Sequence, residues 1–156
     1  MKITFEIADL ANDKHKETVI ELLDAYMRDG MGINAPMREE LKEPMLEGLT
    51  KHQESFVLLA KEGENYVSLA TCFYGFSTFN AQPLINIHDL IVLPMHRNKG
   101  IGKQVLRKVA QIGRENNCCK ITLEVRSDNE NAKALYKSEG FKDSEPPMHF
   151  WSKWLA

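Results

Sequence analysis

The 156-residue chain carries 20 Lys and Arg against 22 Asp and Glu, a formal net charge of −2, so it lacks the basic excess of a general nucleic-acid binder. With 43% hydrophobic residues it can bury one real core, and a single domain spanning 1–156 is the expectation. Its three cysteines, two of them adjacent at Cys118 and Cys119, make no disulfide framework and fit a reducing, cytoplasmic setting. No second Cys/His pair stands at ligand spacing, so Cys118 and Cys119 read as core or helix-end thiols and no metal is expected. Apolar runs fall short of the ~18 residues of a membrane span, and no membrane partner is expected.

In chain order, "MKITFEIADL" has no signal-peptide pattern and reads as a strand. Val19, Leu22, Leu23 and Tyr26 recur at i, i+3, i+4 and i+7, which predicts an amphipathic helix over about Lys14–Arg28. "DGMGINAP" breaks it. Leu41, Met45, Leu46 and Leu49 predict a second helix, begun near Pro36 and kinked at Pro44. "SFVLLAKEGENYVSLATCFYGF" reads as two strands around a turn at Glu62–Asn65, and "LINIHDLIVL" as a strand covered on both faces, stopped by Pro94. A third helix carries Ile101, Val105, Val109 and Ile112 on one stripe. "KITLEVR" is a strand, "NENAKALYKSEGF" a short helix ended by Gly140, and "MHFWSKWL" a closing strand. The order β-α-α-β-β-β-α-β-α-β(β) implies an α/β fold with a central sheet.

The chemistry concentrates in "HRNKGIGKQVL", His96–Leu106. A nucleotide-triphosphate loop needs Gly where Arg97 stands and a hydroxyl residue where Gln104 stands; a dinucleotide fingerprint needs Gly at Val105. Both fail. What remains is a glycine-rich turn opening a helix, where unshielded N–H groups and the positive end of the helix dipole suit an anion such as pyrophosphate.

"RNKGIG", Arg97–Gly102, resembles the Arg/Gln-x-x-Gly-x-Gly/Ala motif of the GNAT N-acetyltransferase superfamily, which cradles the pyrophosphate of acetyl-CoA. "LEVRSDNENAKALYKSEGF", Leu123–Phe141, is similar to that family's Asn-x-x-Ala-x-x-x-Tyr segment. The resemblance implies a GNAT-like mixed, mostly antiparallel sheet flanked by helices, with acetyl-CoA as co-substrate. It implies that Leu90, Ile91 and Val92 meet the pantetheine arm through their backbone. Following Arg97, the stretch Asn98, Lys99, Gly100, Ile101, Gly102 and Lys103 would surround the pyrophosphate. Asn98 departs from the glycine that the family often has there. Asn129 would contact the cofactor, and Tyr136, seven residues on and so on the same helix face, would protonate the leaving thiolate.

The base stays open at this point. Glu124 matches a glutamate that acts as base in relatives acetylating protein N-termini. His88 and Asp89 match an amine-binding Glu-Asp pair of polyamine acetyltransferases, which the chain resembles in "ATCFYGFSTF" and "IHDLIV"; His88 departs from that pair and Asp89 keeps it. Phe73, Tyr74, Phe76 and Phe79 either line the acceptor pocket, with Tyr74 as a substrate contact, or fill the core. The segment Asp29–Pro36 is the expected place of substrate choice, whereas "REELKEPMLEG" reads as a solvated helix face. The expected reaction is direct acetyl transfer to a primary amine of a small molecule: a polyamine, a diamine or a lysine-like amine. A protein or peptide N-terminal acetyltransferase and a non-catalytic acetyl-CoA-binding module are the alternatives. Polyamine-type relatives imply a homodimer, in which "FWSKWL" packs across an interface or finishes the monomer's own sheet.

Overall fold

The computed structural model describes residues 2–156. A five-stranded sheet runs in the order β1-β2-β3-β4-β5, with β1 at Ile3–Ile7, β2 at Ser55–Glu62, β3 at Asn65–Ser77, β4 at Gln82–Val92 and β5 at Ile121–Leu123. The first four strands are mutually antiparallel and β5 joins β4 in parallel. The expected turn between β2 and β3 is present, with Gly63 at φ 62°.

Four helices cover the two faces. α1 (Asp13–Arg28) starts where the Asn12 side chain accepts the His15 N–H, and it buries Thr18, Val19, Leu22 and Leu23. α2 (Glu39–Lys51) runs unbroken through Pro44 and leaves its glutamates in solvent, as a solvated face should. Together they close one core with Val57, Leu59, Leu69 and Ile91. On the opposite face α3 (Ile101–Glu115) lays Ile101, Val105, Leu106 and Val109 against Leu58, Ala70, Cys72 and Ile87. Each of those fully buried aliphatic side chains contributes roughly 1.5–3 kcal/mol. α4 (Glu130–Ser138) packs Leu135 and Tyr136 on the same cluster.

Two irregularities shape the site. The β3–β4 register slips between Thr71 and Cys72, which face Asp89 and Ile87, so His88 is the extra residue of a bulge in β4. β4 and β5 then pair only over Ile85–Ile87 and Ile121–Leu123, while β4 continues to Val92. Beyond Ile87, β4 therefore has no strand partner on the side away from β3, and the sheet splays open there.

The closing strand expected at "MHFWSKWL" is a correction. Residues 142–156 carry neither helix nor strand, and all are exposed. Alternation of apolar residues signals an extended segment, but a strand also needs a neighbour to pair with, and this segment has none among the described residues.

Candidate active site

Past the point where β5 leaves β4, a cleft of about 600 Å³ lies between the end of β4, the start of α3 and α4. One wall is the last stretch of β4, where Leu90, Ile91 and Val92 register with Ala70, Leu69 and Ser68 of β3 on their other side. The floor is the turn into α3. That helix begins at Gly100 (φ 77°) with no side-chain cap, whereas α1 and α4 are capped by Asn12 and Asn129. The first N–H groups of α3 are therefore left for a ligand. Asn98 has φ 60°, a left-handed conformation that asparagine tolerates far better than most residues, which accounts for its standing where the family often has glycine. Gly102 is needed for packing: a Cβ there would lie 2.9 Å from Leu135 Cδ2 and 3.9 Å from Val92 Cγ2. Absence of that side chain lets α4 close against the start of α3.

The resemblance-derived donor residues converge on this cleft: Leu90, Ile91, Val92, Arg97, Asn98 and Gly100 line it, as do Ile101, Gly102, Lys103, Asn129 and Tyr136. Lys99 is exposed and outside the lining. Arg97 has a second task. Its Nε donates to the Val92 carbonyl at 2.9 Å and its guanidinium pairs with Asp29 at 2.7 Å, tying the end of α1 to the turn that opens α3. Asn129 caps α4 through the Ala132 N–H at 3.1 Å, which fixes the helix that carries Tyr136. Tyr136 packs on Phe141 with ring centroids 5.8 Å apart, and burial pushes its phenol up to about 12. It stays protonated throughout the neutral range.

Tyr26, Asp29 and Met31 also line the cleft, from the end of α1 and the turn beyond it. Periodicity marked Tyr26 only as a helix-face residue. Its phenol is raised by burial and then by the charges of Asp89 and Asp29. Asp89 lies on the α1 face of β4; burial raises its carboxyl above the ordinary range, against the lowering effects of His88 and of the nearby Thr71 hydroxyl. Asp29 is held below the usual range by the Met31 N–H and by Arg97. Asp29 is thus already neutralised by Arg97, and Asp89 is the carboxylate near this end of the cleft without an ion-pair partner among the described residues.

The remaining candidates divide. His88 is exposed and edge-on to Phe73 (5.5 Å), which in turn meets His52 (5.1 Å), so Phe73 belongs to this face. Glu124 follows β5, exposed, with Oε1 3.5 Å from Asn86 Nδ2; Asn86 also donates to Thr122, so the three share a face. Neither His88, Asp89 nor Glu124 lines the cleft itself. Tyr74 is not brought to the site: it packs on Phe56 (5.5 Å) within the α3-side core, because its place in β3 points it to the other face. Phe76 and Phe79 lie in solvent at the end of the β3–β4 hairpin.

Known proteins agree with this geometry. The family model described as "Acetyltransferase (GNAT) family" matches residues 17–141. The thialysine N-epsilon-acetyltransferase of Mus musculus is 27% identical over 143 residues, 92% of this chain and 76% of that protein. The N-alpha-acetyltransferase RimI of Mycobacterium tuberculosis is 39% identical over 56 residues, 36% of this chain and 34% of that one. The crystal structure of a probable acetyltransferase superposes with a TM-score of 0.82 at 19% identity, covering 100% of this chain and 99% of the other, a likeness of fold. The protein belongs to the GNAT acetyltransferase family and is an N-acetyltransferase, of a family whose acyl donor is acetyl-CoA.

Proposed function

We propose that the protein moves an acetyl group from acetyl-CoA to a primary amine of a small, multiply cationic molecule, a polyamine, diamine or lysine-like amine, by direct attack. The observation that supports this reading is Asp89, a carboxylate with no ion-pair partner among the described residues, near enough to Tyr26 of the cleft lining for its charge to raise that phenol, whereas Asp29 is already paired with Arg97. A free carboxylate beside the cleft suits a substrate that brings a second positive charge. The mouse relative's name, a thialysine acetyltransferase, supports a lysine-like amine. The unpaired cysteines suit a reducing compartment, and we read the protein as cytoplasmic.

An alkylammonium with pKa about 10 must shed a proton before it attacks. Asp89 is the favoured base, directly or through one water: its raised carboxyl is a better proton acceptor near neutrality than an ordinary aspartate. The freed amine nitrogen then bonds to the acetyl carbon as the carbon–sulfur bond breaks, and the electron pair leaves on sulfur. Tyr136 supplies the sulfur's proton and regains one from solvent. A thiol in water ionises at about 8.5, too low to take a proton readily from so weak an acid. Burial changes that balance. A leaving thiolate shielded from water is likewise raised, toward the basicity of the Tyr136 phenolate.

The test compares a diamine with a monoamine of equal length ending in a hydroxyl. The diamine should show the lower KM by about tenfold, and Asp89→Asn should erase the difference. Equal KM values in the wild type would remove the cationic-substrate reading. A second reading, acetylation of peptide N-termini, rests on Glu124 at the end of β5 and on the RimI relative. Under it, short peptides turn over and Glu124→Gln, not Asp89→Asn, abolishes the rate.

A further inference from the structure

The side chain of His96 stands outside the donor set that the family motif implies, yet it lines the same cleft. His96 ends a 3-10 turn, Pro94–His96, in which its N–H donates to the Leu93 carbonyl at 2.8 Å. The Leu93 N–H in turn donates to Val67 of β3 at 2.9 Å. These bonds hold the imidazole beside the β2–β3 hairpin, where Glu62 is the last residue of β2. His96 Nδ1 lies 2.8 Å from Glu62 Oε2, close but not aligned as a hydrogen bond. A carboxylate oxygen only accepts, so at that distance Nδ1 carries a proton.

Burial orients the ring. The His96 side chain is 23% exposed, but Nδ1 itself is buried, so the open part of the ring lies away from Glu62, with Nε2 across the ring from Nδ1. Glu62 is only 14% exposed and pairs with no other cation among the described residues. A covered carboxylate is costly without a cation, and the match is complete when the imidazole holds both protons. Nε2 is then a donor. The cleft lacks charge at this point, because Arg97 is spent on Asp29 and the Val92 carbonyl, and Lys99 lies outside the lining.

We infer that His96, charged and held by Glu62, binds a phosphate group of acetyl-CoA through its Nε2–H and so makes donor affinity fall as pH rises. The inference rests on acetyl-CoA as donor and not on which amine accepts. A charge-assisted bond of this kind exists only with the imidazolium, so it is present at low pH and lost as the ring gives up its second proton. The other titratable groups facing the cleft are Tyr26 and Asp29 at the end of α1, Arg97, Lys103 on α3 and Tyr136 on α4. Asp29 is held low by the Met31 N–H and by Arg97, and both phenols are raised by burial, so these carboxylate and phenol charges do not change near neutrality. Asp89, raised by burial, lies outside the lining.

The experiment titrates acetyl-CoA into wild type, His96→Gln and Glu62→Gln by calorimetry across the range in which histidine changes charge. The ligand's own phosphates and Asp89 titrate in all three proteins, so the ratio of Kd values isolates the His96–Glu62 pair. His96→Gln should bind about tenfold more weakly than wild type at about pH 6, and the two should converge by about pH 8.5. Glu62→Gln, which removes the matching charge, should move that convergence to lower pH. His96→Arg stays charged throughout and should bind more tightly than wild type at the alkaline end, a check that does not depend on the glutamine variant folding. A loss of affinity in His96→Gln that is the same at every pH would make His96 a structural prop of the turn. Equal affinities throughout would show that it does not touch the donor. Either overturns the inference, whereas wild type that binds no acetyl-CoA at any pH overturns the donor reading and the inference with it.

Discussion

On the side of the cleft proposed for the donor, main chain forms much of the surface: the Leu90–Val92 edge, the uncapped start of α3, and a turn in which Asn98 and Gly100 take left-handed conformations. On the side proposed for the acceptor, side chains from separate stretches come near one another: Tyr26 and Asp29 at the end of α1, and Asp89 beside the β4 bulge. The difference has a cause. Pyrophosphate and amide groups are common to every use of the donor, so N–H groups in fixed positions suffice, whereas an acceptor is distinguished by where its charges sit. Variants on the donor side should therefore change acetyl-CoA affinity, and variants on the acceptor side should change acceptor KM and pH dependence.

Tyr136 stands where the halves meet and tests the division most severely. Tyr136→Phe keeps the ring's packing on Phe141 and removes only the proton, so kcat should fall roughly 10²-fold or more, with acetyl-CoA affinity unchanged by calorimetry. Weakened acetyl-CoA binding of similar size would blur the two halves into one.

Asp89 comes next. Asp89→Asn should lower turnover by about tenfold or more and remove the acid limb of the pH–rate profile, which in the wild type lies above the ordinary carboxylate range. Stability should move the other way. A carboxyl raised by burial binds its proton more tightly when folded; that contribution is complete below the unfolded value, about 3.9, and is lost as pH rises through the raised native one. At neutral pH the buried charge destabilises the fold, so Asp89→Asn should raise Tm, by about 2–4 °C per kcal/mol relieved. A lower Tm would show Asp89 to be a structural anchor.

Two glycines, one from each half, sharpen the contrast at smaller amplitude. Gly102→Val drives atoms into Leu135 and should weaken acetyl-CoA binding by about tenfold while acceptor KM holds. At Gly32 a Cβ would meet the Tyr26 carbonyl oxygen at 2.1 Å and the Met27 carbonyl oxygen at 2.9 Å. Gly32→Ala must displace the turn carrying Asp29 and Met31, for about 1–3 kcal/mol of stability and a severalfold rise in acceptor KM alone. Equal effects of both variants on both substrates would end the distinction.

The same division explains what the sequence could reveal. The lining of the cleft was legible from Arg97–Gly102 and Asn129–Tyr136 because a turn and a helix face are written in short local spacings. The acceptor side was partly legible at Asp89 and hardly at Tyr26, whose part depends on α1 ending opposite the β4 bulge, a long-range fact with no local signature. Tyr74 shows the converse: period-2 patterning identifies a strand, but the face its residues take follows from register, and here register turned it into the core. The bulge at His88 and the early parting of β5 from β4 are likewise outcomes of packing. "MHFWSKWL" was readable as extended and apolar; that it pairs with no strand among the described residues was not, since pairing is a long-range outcome.

The most direct measurement is thiol release from acetyl-CoA with a panel of diamines, polyamines, lysine analogues and short peptides, run with wild type and Tyr136→Phe. Saturable release with a small multiply charged amine, suppressed roughly 10²-fold in Tyr136→Phe with acetyl-CoA still bound, is the predicted result. Release with peptides alone, or undiminished release in Tyr136→Phe, would contradict it.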